Sequence, residues 1–388
     1  MKIYLITLII LLLPFVLMLL SHGHGHLFFN RMIAFAVPYS IIAFPLIVYT
    51  VVSLAGRFIG IFSQAAAAVT ENISIGLGVT VLLIMIVGHF WGPTHLKVKD
   101  VTVESNRIPA AFDGYKIVHL SDMHLASQAG HPEFVEKVVD AINEQKADMV
   151  CFTGDLVTRD RQELTGAAEG KVTDFAADDS KATDFTKILR RVRAKDGVYA
   201  VLGNHDYHAY TPLTAKEKKQ WLEAFKGDIK GMGWRLLLNE HATVSRGADS
   251  ICIGGCENYG NGKHFPQYGD IDKTFKGAED ADCKILLSHD PTHWERVVLP
   301  ALTEKGCQPT DIRERKARDV LLTLSGHTHA RQLKLLGWTP SRWIYKYHDG
   351  MYEEKAHFLN VSTGVGGAGL PFRLGAWPEL CVITLTKK

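Results

Sequence analysis

Hydrophobic positions follow two regimes along the chain. Up to about residue 95 they form long, nearly unbroken runs; beyond it they recur in short runs at strand or helix spacing. Ile3–Leu20 carries no charge, Met32–Leu54 is broken only by scattered Pro, Tyr, Ser and Thr, and Ile73–Phe90 is a third apolar stretch. Each reaches the about 18–20 residues needed to cross a hydrocarbon core. The pattern predicts three spans with no charge inside them. Gly56–Phe62 either extends the second span or lies at the interface, which leaves a fourth span open. The first run reads as an uncleaved anchor, because only Lys2 precedes it and no A-x-A site stands before His22. Residues 1–95 are therefore expected to be a multi-pass anchor in the cell (inner) membrane, and residues 96–388 a folded domain. Lys2 and Arg57 fall on one face and Arg31, Lys97 and Lys99 on the other, so the charge bias does not fix the orientation.

Past residue 95 strand and helix signals alternate. Lys116–Leu120 reads as a strand, and Pro132 opens a helix with Phe134, Val135, Val138, Val139 and Ile142 on one face. Asp148–Thr153 is the next strand, and Phe185, Ile188, Leu189 and Val192 mark a second helix. Gly197–Leu202, Lys284–Leu287 and Val320–Leu324 are further strands, while Ser250–Gly254, His357–Val361 and Leu380–Thr386 read as antiparallel. Gln162–Lys187 is rich in Ala, Asp, Thr, Gly and Lys and has no period; it reads as a surface insertion, either a lid or a loop. Thr303–Arg318 reads as a polar connection.

The polar residues that follow these strands change the picture. Asp122-Met-His124, Gly154-Asp155, Gly203-Asn204-His205-Asp206, Ser288-His289-Asp290 and Gly326-His327-Thr328-His329 each come directly after an apolar strand. Open α/β sheets place ligands outside strand carboxyl ends in this way. Together the segments offer two aspartates, one asparagine and four histidines as metal ligands, with His205 left over. Two divalent cations about 3.5–4 Å apart can clamp a phosphoryl group and activate water. Mixed N/O ligands suit Mn, Fe, Zn or Ni, and we favour Mn. No cysteine lies in the five segments, which argues against a thiolate zinc site.

With these motifs, residues 112–388 resemble the calcineurin-like metallophosphoesterase superfamily. The run from Val361 to Arg373, followed by Pro378-Glu379, is similar to the bacterial membrane-associated YkuE/YaeI-type subgroup. The resemblance implies an α/β fold, a four-layer αββα sandwich preceded by N-terminal transmembrane helices. It implies that Asp122, His124 and His329 bind one metal, that Asn204, His289 and His327 bind the other, and that Asp155 bridges both. It places His205 near the leaving group, with Asp206 orienting or polarising it. One departure is Ala330-Arg331-Gln332 after the GHTH motif, where the subgroup usually has Gly-Gly-Gln; Arg331 adds a cation and bulk there.

Composition narrows the rest. A net charge of +2 indicates no nucleic-acid surface. The six cysteines have no framework spacing; they read as small apolar residues and lean toward a reducing, cytoplasmic face. His22, His24 and His26 read as a solvated loop in preference to a metal site, and Trp91 with His95 as an interfacial anchor. His119 reads as core; His131 and His208 are candidates for the metal edge and for substrate; His293 and His348 have no motif support. Arg373 reads as either a phosphate contact or a Glu379 partner, and the surrounding glycines as backbone turns. The expected function is a membrane-anchored dinuclear phosphoesterase acting on a phosphodiester or pyrophosphate, with a phosphorylated small-molecule or lipid-linked substrate. A phosphomonoesterase and a non-catalytic membrane sensing module are the alternatives.

Overall fold

The computed structural model describes residues 7, 9–10, 13, 26–166, 183–211, 213–262, 265–301, 312–367 and 369–388. Contacts divide the chain into two units. The first is helical, and residues 369–374 belong to it. Its helices are α1 (His26–Gly60) and α2 (Gln64–Ile86), the latter prolonged by a π turn at Val87–Trp91 and a 3-10 turn at Gly92–Thr94. Phe35–Gly60 and Gln64–Thr94 are long and apolar enough to cross a membrane by length and composition. The Gly56–Phe62 run extends α1 to Gly60 and then turns. Ser63 caps α2 by accepting from the Ala66 amide at 3.3 Å. Ile3–Leu20 lies almost wholly outside the described residues, as do His22 and His24. Within the unit, Tyr49 Oη donates to Glu71 Oε1 at 2.6 Å and Ser53 donates to Glu71 Oε2. Helix α2 starts nine residues before the apolar run Ile73–Phe90 and so includes Glu71, which lies outside that run. Arg373 is buried in this unit, its amide donating to Gly88 O at 2.9 Å.

The second unit is built on two six-stranded sheets. The strands are β1 (Lys97–Ser105), β2 (Tyr115–Leu120), β3 (Met149–Phe152), β4 (Val198–Ala200), β5 (Arg235–Leu236), β6 (Glu240–Arg246), β7 (Asp249–Gly255), β8 (Lys284–Leu287), β9 (Leu322–Ser325), β10 (Gly350–Glu354), β11 (His357–Val361) and β12 (Glu379–Lys387). One sheet runs β1-β12-β2-β3-β4-β5 and the other β10-β11-β9-β8-β7-β6. Alternate residues of each strand enter different cores, as a period of two demands. Ile117, Cys151, Ile285, Leu287, Leu322, Leu324 and Ile383 meet between the sheets. Val118, Leu120, Val150 and Val382 face outward onto α3 (Pro132–Glu144), α4 (Phe185–Leu189) and α5 (Ala215–Gly231). Leu286, Leu359 and Val361 face the other way, onto Trp294 and Val298. The result is the four-layer αββα sandwich.

Two readings change in detail. The strands read as antiparallel each have one antiparallel and one parallel neighbour: β7 lies between β6 and β8, β11 between β10 and β9, and β12 between β2 and β1. Most of the Gln162–Lys187 stretch lies outside the described residues; at its start, Gln162–Thr165 is a helical turn with Leu164 buried. The later part of the Thr303–Arg318 connection, Ile312–Arg318, is helical. The five described cysteines, 151, 252, 256, 283 and 381, are free and buried, in keeping with an apolar role.

Candidate metal centre

All five motifs meet at the carboxyl ends of β2, β3, β4, β8 and β9. Asp122, His124 and His329 form one group of donor atoms within 4.8 Å of one another, and Asp155, His289 and His327 form a second. His124 Nε2 and His329 Nε2 lie 3.1 Å apart, and Asp122 Oδ1 lies 3.2 Å from His329 Nε2. His289 Nε2 lies 3.2 Å from Asn204 Oδ1, 3.2 Å from His327 Nδ1 and 3.2 Å from Asp155 Oδ2. That Asp155 oxygen is also 3.6 Å from His124 Nε2, so Asp155 stands between the two groups.

Backbone strain marks the same place. Asp122, His124, Asp155, His327 and His329 all have φ between 41 and 71°. Non-glycine residues rarely adopt this left-handed region, and each costs about 1–3 kcal/mol unless its surroundings impose it. The sharp turns lift each side chain off a strand end. They also need close neighbours: a Cβ at Gly154 would come 2.3 Å from the Gly203 nitrogen, and one at Gly326 would come 2.2 Å from Asp122 Oδ2.

The ring nitrogens that face away from the cluster are held from behind. His124 Nδ1 meets Thr158 Oγ1 at 3.2 Å, His289 Nδ1 donates to the Thr153 carbonyl at 2.7 Å, and His327 Nε2 meets Tyr345 Oη at 2.8 Å. Asn204 Nδ2 donates to Tyr210 Oη at 3.0 Å, which leaves its Oδ1 turned to His289. Such partners fix ring orientation and ligand basicity. Tyr345→Phe is expected to weaken metal binding about 10–100-fold while leaving the fold intact, as measured by competition titration with a chelating dye. An unchanged affinity would show that Tyr345 does not support His327.

The electrostatics ask for positive charge. Burial alone would raise the carboxyls of Asp122 and Asp155, but the surrounding imidazoles, His329 for the first and His289 for the second, hold both well below the usual range. Burial drives His124 and His327 toward the neutral form that can donate a lone pair. His289 is pushed up to about 10: burial opposes this, and the Asp155 charge overrides it. Two buried ionised carboxylates among nitrogen donors, with no thiolate, fit a pair of divalent cations.

Other predicted residues divide. His205 is not among the grouped donors: its amide donates to Asp155 Oδ1 at 2.9 Å, and its Nδ1 meets the Thr158 carbonyl at 2.7 Å. Its ring stands edge-on to His124 at 5.0 Å. Asp206 is fully buried and accepts from the amides of Asp155, Leu156, Val157 and Gly203 at 2.7 to 3.2 Å. Its carboxylate thus binds the loop that carries Asp155, and the His205 ring is oriented by Thr158. His119 is core, between Thr153 and Asn360. His208 is buried against Trp221. His131 is exposed and paired with Glu133 at 3.1 Å. In the C-terminal loop Gly366 serves close backbone approach: its N donates to Asp122 O at 2.7 Å, and a Cβ there would overlap Met123 O.

Several residues of the site had no signal in the sequence. Tyr210 and Tyr345 are two; Asp290, 3.4 Å from His327 Nε2, stood in the Ser288-His289-Asp290 motif without a role of its own. Glu163 is a third. It is half-buried, and it accepts from the amides of Ala126, Thr158, Arg159 and Asp160, fixing the loop that offers Thr158 to His124 and His205. It lies in the stretch read as an insertion, so that boundary moves past it. The Tyr210 position lay four residues after the Gly203-Asn204-His205-Asp206 motif, which is the one clue available.

Residues 115–331 match the family described as calcineurin-like phosphoesterase. A Danio rerio transmembrane protein with metallophosphoesterase domain is 28% identical over 358 residues, covering 89% of this chain and 71% of that protein. Metallophosphoesterase YkuE of Bacillus subtilis is 28% identical over 297 residues, covering 76% of this chain and 86% of that one. Among solved structures, the sulfate thiohydrolase SoxB of Thermus thermophilus superposes with a TM-score of 0.36 at 12% identity, covering 72% of this chain and 57% of that one. The chain therefore spans little more than half of that structure.

Proposed function

Because the chain belongs to the calcineurin-like phosphoesterase family, a family that binds two divalent metals and hydrolyses phosphoesters, we propose that it is a membrane-anchored hydrolase of a phosphodiester or pyrophosphate bond. The observation that carries this reading is the split of the donors into two groups about Asp155, with His205 left outside both. Asp122, His124 and His329 would hold one cation, Asn204, His289 and His327 the other, and Asp155 would hold both. When bound, the pair supplies Lewis acidity at the phosphoryl oxygens and an activated water. Manganese is the ion of choice for the first reconstitution. The anchor is α1 and α2, with a further span over Ile3–Leu20, and the catalytic unit on the cytoplasmic face.

His205 works from outside the metal ligands. Its Nδ1 proton goes to the Thr158 carbonyl, so its Nε2 can donate only as the imidazolium. A proton held at Nε2 can pass to the leaving oxygen as the ester bond breaks. Asp206 acts through others: it fixes the loop that presents Asp155 and the turn that presents Asn204 and His205. Tyr210 packs on the His205 ring at 5.0 Å and limits its swing.

The test uses the full chain, stripped and reloaded with Mn, on aryl phosphodiester and aryl phosphomonoester substrates. The diester is expected to turn over faster; a strict preference for the monoester would move the reading to a phosphomonoesterase. His205→Ala is expected to cut kcat on the diester by about 10²–10⁴-fold while both ions stay bound. An aryl leaving group needs less protonation than an alkyl one, so the loss should be larger with an alkyl ester. Equal losses on the two would rule out His205 as the proton donor.

A further inference from the structure

The catalytic unit exposes few large apolar side chains. Among the described residues from 94 onward they are Val98, Tyr210, Tyr268, Leu335, Leu336, Trp343 and Ile344. Four of the seven fall between 335 and 344. Leu336 is fully exposed, Trp343 is 75% exposed, and Leu335 and Ile344 are about half exposed. They do not hang on a loose tail. Leu335 and Trp338 exchange backbone hydrogen bonds at 2.9 Å, which makes Leu336-Gly337 the tip of a tight turn. Trp338 and Trp343 pack edge to face at 5.2 Å. A rigid turn that holds its leucines out in water is costly unless something apolar receives them.

The base of this segment is fastened to the metal-ligand turn. Thr339 Oγ1 donates to Ala330 O at 2.5 Å, Ser341 Oγ donates to Thr328 O at 3.4 Å, and Tyr345 Oη meets His327 Nε2 at 2.8 Å. The tip is therefore coupled through short contacts to the His327–His329 ligands. Exposed cations flank the apolar residues: Arg331 precedes the turn, Arg342 stands beside Trp343, and Lys346, paired with Glu354 at 3.4 Å, follows. Apolar tip, two tryptophans and a rim of arginine and lysine is the composition that seats itself in a bilayer interface, with apolar groups in the acyl region and cations among anionic headgroups.

We propose that Leu335–Ile344 is an interfacial anchor that dips into an anionic lipid bilayer and holds the metal centre at headgroup level. The charge of the rim and the apolar helices carried by the same chain favour a bilayer over a protein partner as its occupant. The inference rests on the reading that α1 and α2 lie in a membrane. The substrate class it favours is a phosphoester carried by an amphiphile.

The experiment uses the full chain in nanodiscs of phosphatidylethanolamine and phosphatidylglycerol, in a Cys307→Ser background. A fluorescent label is placed singly through Leu336→Cys, through Leu83→Cys on α2, and through Lys219→Cys on exposed α5. Lipids bearing a nitroxide on the acyl chain are expected to quench the labels at 336 and 83 at least about twofold and to spare the label at 219. Adding Leu335→Glu and Trp343→Glu should abolish quenching at 336 without changing turnover of a soluble aryl diester. Quenching at 83 with none at 336 overturns the anchor and leaves the spanning helices standing. Quenching at neither overturns both readings. A disulfide between two Leu336→Cys chains that replaces lipid quenching would assign the surface to a second copy and overturn the bilayer assignment.

Discussion

Replacing Asp155 by alanine is expected to abolish hydrolysis and to release both ions. Asp155 is the one donor that faces both groups: its Oδ2 is 3.2 Å from His289 Nε2 and 3.6 Å from His124 Nε2. Every other ligand serves one side, so its loss leaves the second cation with most of its shell. Losing the shared carboxylate removes the charge that lets two dications approach each other. The stabilisation of the transferring phosphoryl group is worth several kcal/mol, so a loss of about 10³-fold or more in kcat is expected. Elemental analysis should find two ions per parent chain and none per variant. Saturating Mn should raise the parent's melting temperature by the equivalent of about 3 kcal/mol per site, and should leave the variant's unchanged. The metal-free variant should melt near the metal-free parent, because the principal bond lost is the one from the His205 amide at 2.9 Å. An Asp155→Ala chain that keeps both ions and its turnover would end the two-metal reading.

Asp206→Ala is expected to show the larger effect on folding. Its carboxylate satisfies four buried amides from two chain segments, Asp155–Val157 and Gly203. Each amide left without a partner costs about 1–3 kcal/mol, and strained turns at Asp155 depend on those bonds. Some amides will recruit water, so the total should be about 4 kcal/mol. For a domain of this size that lowers the melting temperature by about 10 °C. Metal affinity should fall with it, since Asp155 is carried on the released loop. Asp206→Asn should not rescue, because its amide nitrogen would face two N–H donors. A fall of less than about 2 °C for the alanine variant would show that the loop is held by something else.

The two variants separate two kinds of aspartate that look alike in the sequence. Asp155 follows a strand and a glycine, and so does the Gly203-Asn204-His205-Asp206 group. Only the fold shows that one carboxylate points at the donor cluster and the other points back at amides. Glu163 makes the same point. In a stretch without hydrophobic period it read as part of an insertion, yet its carboxylate accepts from four amides and braces the loop behind His124 and His205.

What the chain itself determined was the set of candidate donors and their placement at strand ends. Period-two apolar runs predict strands locally, and short polar motifs after them need no distant information. The same holds for α3, whose apolar face is set by residues three and four apart, and for the long apolar helices. What only the tertiary structure decided was which groups stand behind the clustered donors and where the long apolar helices begin. Tyr345 reaches His327, Tyr210 turns Asn204, and Glu71 enters α2 beside Tyr49 and Ser53. β1, β5, β6 and β10, and helix α5 as well, were also invisible until neighbours paired or packed with them. The physical reason is the same in each case. A hydrogen bond between a hydroxyl or carboxylate and a partner far along the chain leaves no periodic trace, whereas burying one face of a strand or helix does.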